Sequence, residues 1–449
     1  MNEAELETLR VPPSLSAKVE GSFAYLTIRD RLPTILTKAV DSIHRNKDKF
    51  FEQYGEEGLR AEKAAIGLLS KLRNELQTDK PVLPLVDELE DADGWNRYLQ
   101  RHEELQGEQE PVSWFRSPWL YVECYMYRRI QEALWLNPPI SAFDAFQEAK
   151  TQSYFESQRA VMALCTHLEG FRKTVAGLPE DQLLEHFDKL LQVSLWGNKC
   201  DLSISAGQDN SQKTSPIDSL AELRPFILVD DTRSVWSALV SARDRGGPGR
   251  VDIVLDNAGF ELTTDLVLAD FLVASGLART VRFHGKSMPW FVSDVTAQDF
   301  TWTVRQTMAS NHRVMSESGV QWQSYVREGV WTYRDHPFWT QPHPFCDMAA
   351  DAPDLYADLQ GADLVLFKGD LNYRKLTGDR EWAPTAAFGA ALRGFTPAPL
   401  CSLRTLKANV QVGLQPGQAE RLSQRQPDWM TCGQYAVVQF HSSPPPRGP

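Results

Sequence analysis

Apolar positions along the chain change their spacing part-way through. Up to Trp196 they recur at helical intervals. IGLLSKLRNELQ at Ile66–Gln77 is amphipathic. WLYVECYMYRRIQEALWL at Trp119–Leu136 runs without glycine or proline until Pro138-Pro139. DQLLEHFDKLLQVSLW at Asp181–Trp196 is amphipathic again. Charged connectors, DELEDADGW and EELQGEQEP, separate these pieces, and no internal repeat is visible. A polar stretch, AGQDNSQKTSP at Ala206–Pro216, then marks a change of character. Beyond it, short apolar runs rich in β-formers begin at Pro225 (PFILVDD), Arg250 (RVDIVLD), Thr280 (TVRFHGK), Asp363 (DLVLFKGD), Pro399 (PLCSLRTLK) and Tyr435 (YAVVQF). Helical patterns lie between them: TRSVWSALVSARDR, ELTTDLVLADFLVASG and TAQDFTWTVRQTMA. Buried strands alternating with helices predict a mainly parallel sheet covered on both faces. The expected organisation is an all-helical domain over residues 1–195, an α/β domain over 196–441, and a disordered tail, SSPPPRGP, over 442–449.

Length and charge narrow the function. A chain of 449 residues is long enough for two or three domains with a sizeable core. Its net charge of −12 repels nucleic acid and anionic membrane at long range, and leaves room for a local basic pocket. The first residues, MNEAELETLRVPPSLSAKVEG, lack a basic segment followed by an apolar run, and no stretch is apolar enough to span a bilayer. Six scattered cysteines without CxxC spacing read as reduced thiols. The expected setting is therefore the cytosol, with the nucleus also open, and the expected state is a monomer.

In open α/β sheets, ligands gather at the carboxyl ends of the strands. The IVLD run ends in Asp256-Asn257-Ala258-Gly259-Phe260-Glu261. The next run is expected to lead through His284 and Lys286 into a strand WFVSD ending at Asp294. LVLFKG runs into Asp370-Leu371-Asn372, and SLRTLK supplies Arg404 and Lys407. Carboxylate and amide oxygens suit Mg²⁺ or Mn²⁺, so Asp256, Asn257 and Asp294 are candidate ligands. Arg404 offers a bidentate phosphate contact and Lys407 a point charge. Each residue also has a plainer reading. Asp-Asn after a strand makes turns and caps, Asp294 before a helix is an N-cap candidate, and Lys368 and Asp370 could simply pair. GGPG at Gly246–Gly249 precedes its strand, so it reads as a loop and not as a dinucleotide fingerprint.

The order of several segments is more specific than any one of them. SFAYLTIRDRLPTILTKAVD, SPWLYVECYMYRRI, LWGNKCDLS, VLDNAGFE, KSMPWFVSDV, HPFWTQPHPFCDM, FKGDLNYRKL and Arg404-Thr405-Leu406-Lys407 occur in that order. Over nearly its whole length the chain resembles the damage-control phosphatase family, in the branch also called acidic-residue (protein-glutamate O-) methyltransferase. The resemblance implies a helical domain packed on a Rossmann-like α/β/α domain. It implies a divalent metal (Mn²⁺, Co²⁺, Ni²⁺ or Mg²⁺) at Asp256, Asn257 and Asp294. It implies substrate contacts at Asp370, Leu371, Asn372, Tyr373, Arg374, Arg404 and Lys407, and small sugar phosphates such as fructose 1-phosphate and fructose 6-phosphate as substrates. The nucleophile stays open between a metal-activated water and Asp256 itself.

Two other functions compete. The branch name carries methyl transfer from S-adenosylmethionine, with Glu261 at the position given to the cofactor. PFILVDDTRSV, however, lacks the glycine-rich loop expected after a first strand of that kind. A non-catalytic scaffold is the third reading: 13 Trp, 12 Tyr and 21 Phe could line an interface, although a large core accounts for them equally well.

Overall fold

The computed structural model describes residues 11–106, 112–197 and 215–442. Most of the polar stretch 206–216, Cys200, part of the EELQGEQEP connector and all but the first residue of the proposed tail fall outside these residues.

The first part is helical: α1 (Leu32–Arg45), α2 (Lys47–Gln77), α3 (Ala92–Gln106), α4 (Trp119–Trp135), α5 (Gln147–Glu156), α6 (Gln158–Thr174) and α7 (Glu180–Leu195). The helix α2 kinks at Gly55, where φ is 62°. The helix α4 is buried on nearly all sides, which explains its uninterrupted run of large apolar residues.

The rest is a seven-stranded sheet with helices between strands. The strands are β1 (Ile227–Asp230), β2 (Arg250–Val254), β3 (Thr280–Gly285), β4 (Trp331–Asp335), β5 (Leu364–Lys368), β6 (Leu400–Thr405) and β7 (Ala436–His441). Their order is β1-β7-β6-β5-β2-β3-β4. Strands β2 to β6 run parallel, β7 pairs antiparallel with β6, and β1 pairs parallel with β7. The helices between them are α8 (Thr232–Gly246), α9 (Phe260–Ala274), α10 (Ala297–Met308), α11 (Arg313–Arg327), α12 (Pro353–Leu359), α13 (Gly369–Thr377) and α14 (Gln418–Arg425).

Two expectations need correction. WFVSD is not a strand: β3 ends at Gly285, and residues 286–296 form a loop. Pro289 cannot donate to a sheet ladder, and Phe291 and Val292 adopt left-handed φ angles of 43° and 70°. The strand β4 was absent from the expected set. It lies at the sheet edge, where Arg334 and Asp335 face solvent and mask the apolar signal of Trp331.

Three hydrophobic clusters hold the molecule together. Alternate residues of the strands face opposite ways. Ile253, Leu366 and Leu403 pack on the side of α6, α7 and α9. Val254, Val365, Phe367 and Leu400 pack on the other side with Phe338, Phe345 and Trp429. The third cluster runs from Ala17 to Phe146 in the helical part and takes in Trp290, Leu371 and Ala408. These last three residues come from the 286–296 loop, from α13 and from the turn after β6. The helical part up to Phe146 therefore docks over the carboxyl ends of β3, β5 and β6, whereas α6 and α7 share their core with the sheet.

Candidate active site

The chain moves from β2 outward through β3 to β4, then returns to add β5 and β6 on the other side of β2. The boundary between β2 and β5 is thus a topological switch point, the place where ligands bind in open sheets of this kind. Asp256 follows β2 and Asp370 follows β5. Gly369 lies so near that a Cβ there would sit 1.9 Å from Asp256 Oδ2, and its φ is 83°. Only glycine gives that backbone both its angle and its close approach to the carboxylate.

The Asp256-Asn257 turn is tied to the 286–296 loop by short backbone bonds. Ala258 N donates to Ser293 O at 2.7 Å, and Val295 N to Asp256 O at 2.9 Å. Asp294 is thereby brought beside Asn257, with which it forms an isolated bridge. The left-handed pair Phe291-Val292 bends the chain into this position, and Phe291 stacks on Tyr127 of α4 at 4.6 Å. The helical part thus braces the strained turn that carries Asp294. Asn257 Nδ2 donates to Asp256 Oδ2 (2.8 Å) and to Glu261 Oε2 (2.7 Å), while its Oδ1 accepts from Ser293 Oγ. Asp256, Asn257 and Asp294 are therefore assembled at one place.

The carboxyls here are crowded. Asp256, Glu261, Asp265 and Asp294 are four carboxylates, and the buried lysines paired directly with them are Lys286 and Lys368. Lys286 Nζ lies 3.1 Å from Asp294 Oδ2, yet that oxygen is buried without an aligned hydrogen bond. Burial pushes the Asp256 carboxyl well above the usual carboxylate range. Glu261 and Asp294 add repulsion, while Lys407 and Lys286 oppose the shift. Burial likewise raises Asp294, against the pull of Lys286. Lys286 and Lys368 pair with Asp294, Glu261 and Asp265, and Asp256 has no ion-pair partner among the described residues, so a divalent cation beside it would supply the positive charge that keeps these crowded carboxyls ionised. Two carboxylates and an amide oxygen with places for water are donors that suit a hard divalent ion. The residues fit the group.

The remaining site residues divide by burial. Asp370 Oδ1 accepts from Arg404 Nε (2.7 Å) and from the Lys407 backbone N–H (3.1 Å). The Lys407 side chain is exposed and makes no ion pair among the described residues. Arg404 differs from expectation. It is fully buried and stacks on Tyr373 at 4.1 Å. Its guanidinium is committed to Asp370, Gln411 Oε1 and the carbonyls of Ala408 and Val410. A bidentate phosphate grip would require breaking that set, so Arg404 shapes the 404–411 turn and holds Asp370. Arg374 is similarly occupied, by Asp379 (2.9 Å to each oxygen), by Glu123 of α4 and by the Trp119 ring at 3.8 Å. Tyr373 bonds Gln439 and Val412 N; Asn372 Nδ2 caps the carbonyls of Lys368, Leu255 and Val254; Leu371 is core. These four support the site from behind. Lys368 does not pair with Asp370; it faces Asp265 and Glu261. Glu261, expected at a cofactor, is buried with both oxygens engaged.

A second group of metal-ligand type, His343, Asp347 and Asp351, brings one ligand atom from each residue within 4.8 Å of the others. It lies in the segment after β4, and its histidine is buried between Phe338 and Tyr98. The HPFWTQPHPFCDM segment was noted in the sequence without this ligand role. The His-x3-Asp-x3-Asp spacing was its one visible signal.

Comparison with known proteins decides the family. Residues 27–422 match the damage-control phosphatase ARMT1-like domain. The chain belongs to the damage-control phosphatase ARMT1-like family. It is 67% identical over 442 residues to damage-control phosphatase ARMT1 of Danio rerio, covering 98% of this chain and 99% of the relative. It is 61% identical over 436 residues to the Xenopus tropicalis protein of that name, covering 96% and 99%. The Homo sapiens protein is 57% identical over 434 residues, covering 96% and 98%. As a damage-control phosphatase of the ARMT1-like family the chain is an enzyme, and the scaffold reading falls away. The family also carries divalent-metal dependence, which fits the crowded carboxyls at the switch point. Among the described residues, no helix is long and apolar enough to cross a membrane.

Proposed function

We propose that this phosphatase hydrolyses small sugar phosphates, fructose 1-phosphate and fructose 6-phosphate among them, at the β2–β5 switch point. Asp256, Asn257 and Asp294 would hold the divalent cation (Mn²⁺, Co²⁺, Ni²⁺ or Mg²⁺). The observation that carries this reading is the crowding of Asp256, Glu261, Asp265 and Asp294, with Asp256 left without an ion-pair partner among the described residues. A bound divalent ion supplies neutralisation of phosphate oxygens and an activated water. Lys407 is the exposed cation at the rim and meets the phosphate, and its loss of water contacts is small because it stays at the surface. Asp370 is held by Arg404 so that Oδ2 is left to accept a sugar hydroxyl. Leu371, Asn372, Tyr373 and Arg374 contribute by fixing α13 under the substrate. The helices α9 and α13 both begin just after the ends of the neighbouring strands β2 and β5, a setting that favours an anion. The reaction is placed in the cytoplasm, with the nucleus also open, in a chain whose helical part packs on the loop after β3, on α13 and on the turn after β6.

Methyl transfer draws no support from Glu261, because Lys368 and Asn257 already occupy its carboxylate. The test is phosphate release from a panel of sugar phosphates with Mn²⁺, Co²⁺, Ni²⁺, Mg²⁺ or chelator. Turnover of fructose phosphates that needs metal is expected. Full turnover in chelator, or turnover of none of the sugar phosphates with any metal, would refute the reading.

A further inference from the structure

Asn257 presents a question that its neighbours answer. An asparagine amide has nearly the same shape whichever way it faces, so its hydrogen-bond partners decide which end meets a cation. Here Nδ2 lies 2.8 Å from Asp256 Oδ2 and 2.7 Å from Glu261 Oε2. A flipped amide would put its oxygen against two carboxylate oxygens at those distances, lone pair against lone pair. The Ser293 hydroxyl donates to Oδ1 in this orientation, but a hydroxyl can also accept, so the choice rests with the two carboxylates.

Glu261 could enforce this only if it were itself fixed, and it is. Its other oxygen, Oε1, accepts from Lys368 Nζ at 3.3 Å. Lys368 is anchored in turn by Asp265 Oδ1 (2.7 Å) and by the Ser194 carbonyl at the end of α7 (2.8 Å), and Ser194 Oγ donates to Asp265 at 2.6 Å. All of these side chains are buried. Gly197, just beyond α7, lets the chain press on Glu261: a Cβ there would meet Glu261 Cγ at 2.9 Å. The result is one line of contacts from α7 through Lys368 and Glu261 to the amide at the end of β2.

We propose that Glu261, held by Lys368, sets the orientation of the Asn257 amide and thereby presents Asn257 Oδ1 to the divalent cation. Glu261 and Lys368 are positioning residues that touch neither substrate nor metal. Partners of this kind fix a ligand's orientation, and their loss typically weakens metal binding about 10–100-fold. The proposal rests on the assignment of the cation to Asp256, Asn257 and Asp294.

Lys368→Met separates positioning from simple charge. Removing a positive charge near a cation site should tighten metal binding if only long-range electrostatics matter. Removing the anchor of Glu261 should weaken it if orientation matters. The experiment is calorimetric titration of Mn²⁺ into the metal-free full-length protein, with its melting temperature and circular dichroism recorded beforehand. Wild type, Lys368→Met, Glu261→Gln, their double variant and Asp256→Ala are compared. The expected result is Mn²⁺ binding about tenfold weaker or more in each single positioning variant, with unchanged stoichiometry. The double variant should be no weaker than the worse single one, because both act through one amide. Tighter or unchanged binding in Lys368→Met overturns the proposal and leaves the site assignment standing. Wild-type binding in Asp256→Ala overturns the site assignment, and the proposal with it. If Lys368→Met does not fold, Glu261→Asp serves. It keeps the charge but draws the carboxylate back from Asn257, and unchanged Mn²⁺ affinity there overturns the proposal equally.

Discussion

The floor and the rim of the site treat basic residues in opposite ways. On the floor, Lys286, Lys368, Arg374 and Arg404 are all buried, and each is committed to carboxylates or carbonyls of the protein. At the rim, Lys407 is exposed, although it follows Arg404 by only three residues in the same turn. A buried guanidinium costs too much to leave unpaired, so the fold spends it on structure. An exposed ammonium keeps its water and remains available to an incoming anion. Neighbouring cations of one motif are therefore not interchangeable parts of a phosphate clamp. One builds the turn, and the other stays exposed on it.

Breaking the floor should be more damaging than trimming the rim. Asp256→Ala is expected to have the largest effect, a loss of about 10³-fold or more in kcat with a metal-activated substrate, measured as phosphate release from protein shown to be folded. Arg404→Ala comes next. It removes the partner of Asp370 and strips donors from two buried carbonyls, so about 3–5 kcal/mol of stability should disappear in urea unfolding. Lys407→Ala should leave that unfolding curve unchanged and reduce kcat/KM by about 10–100-fold. Equal destabilisation by the two variants would mean that Arg404 and Lys407 do not differ in structural role. Gly369→Ala forces a Cβ to within 1.9 Å of Asp256 Oδ2 at a φ of 83°, and is expected to cost about 1–3 kcal/mol and to lower metal affinity in calorimetry.

The smallest effect lies away from both regions. His167 and His186 face each other across α6 and α7 at 3.3 Å. Burial, then His186 and Lys189, holds the His167 imidazole down at about 4. In the unfolded chain it titrates near 6.5. Between those values the unfolded state binds more protons, so the contribution is complete above pH 6.5 and declines as pH falls toward 4. His167→Gln should flatten stability across that window by on the order of 1 kcal/mol, after allowance for its partial exposure to solvent. An unchanged pH profile of the urea midpoint would contradict this.

Strand ends were readable because an apolar run that stops at an acid is a strong local signal, as in IVLD-Asn257 and LVLFKG-Asp370. The switch point that makes β2 and β5 neighbours follows from chain order and parallel pairing, neither of which a single run reveals. WFVSD misled because Trp, Phe and Val are strand formers, while the left-handed turn at Phe291-Val292 is imposed from outside by Tyr127 and the β2 turn. Arg404 misled because its partners arrive four to seven residues later, when the turn folds back on it. The Lys368–Glu261–Asp265 contacts join residues more than a hundred positions apart, which no spacing rule connects. The family resemblance drew attention to Glu261, but only its two occupied oxygens indicate what it does there.

The central claim is that the cation sits at the switch point. Crystals of the full-length protein soaked in Mn²⁺ and measured at the manganese absorption edge would locate it directly. An anomalous peak within coordination distance of Asp256, Asn257 Oδ1 and Asp294 is predicted, and it should vanish in Asp256→Ala. A peak confined to His343, Asp347 and Asp351, with nothing beside Asp256, would contradict the account.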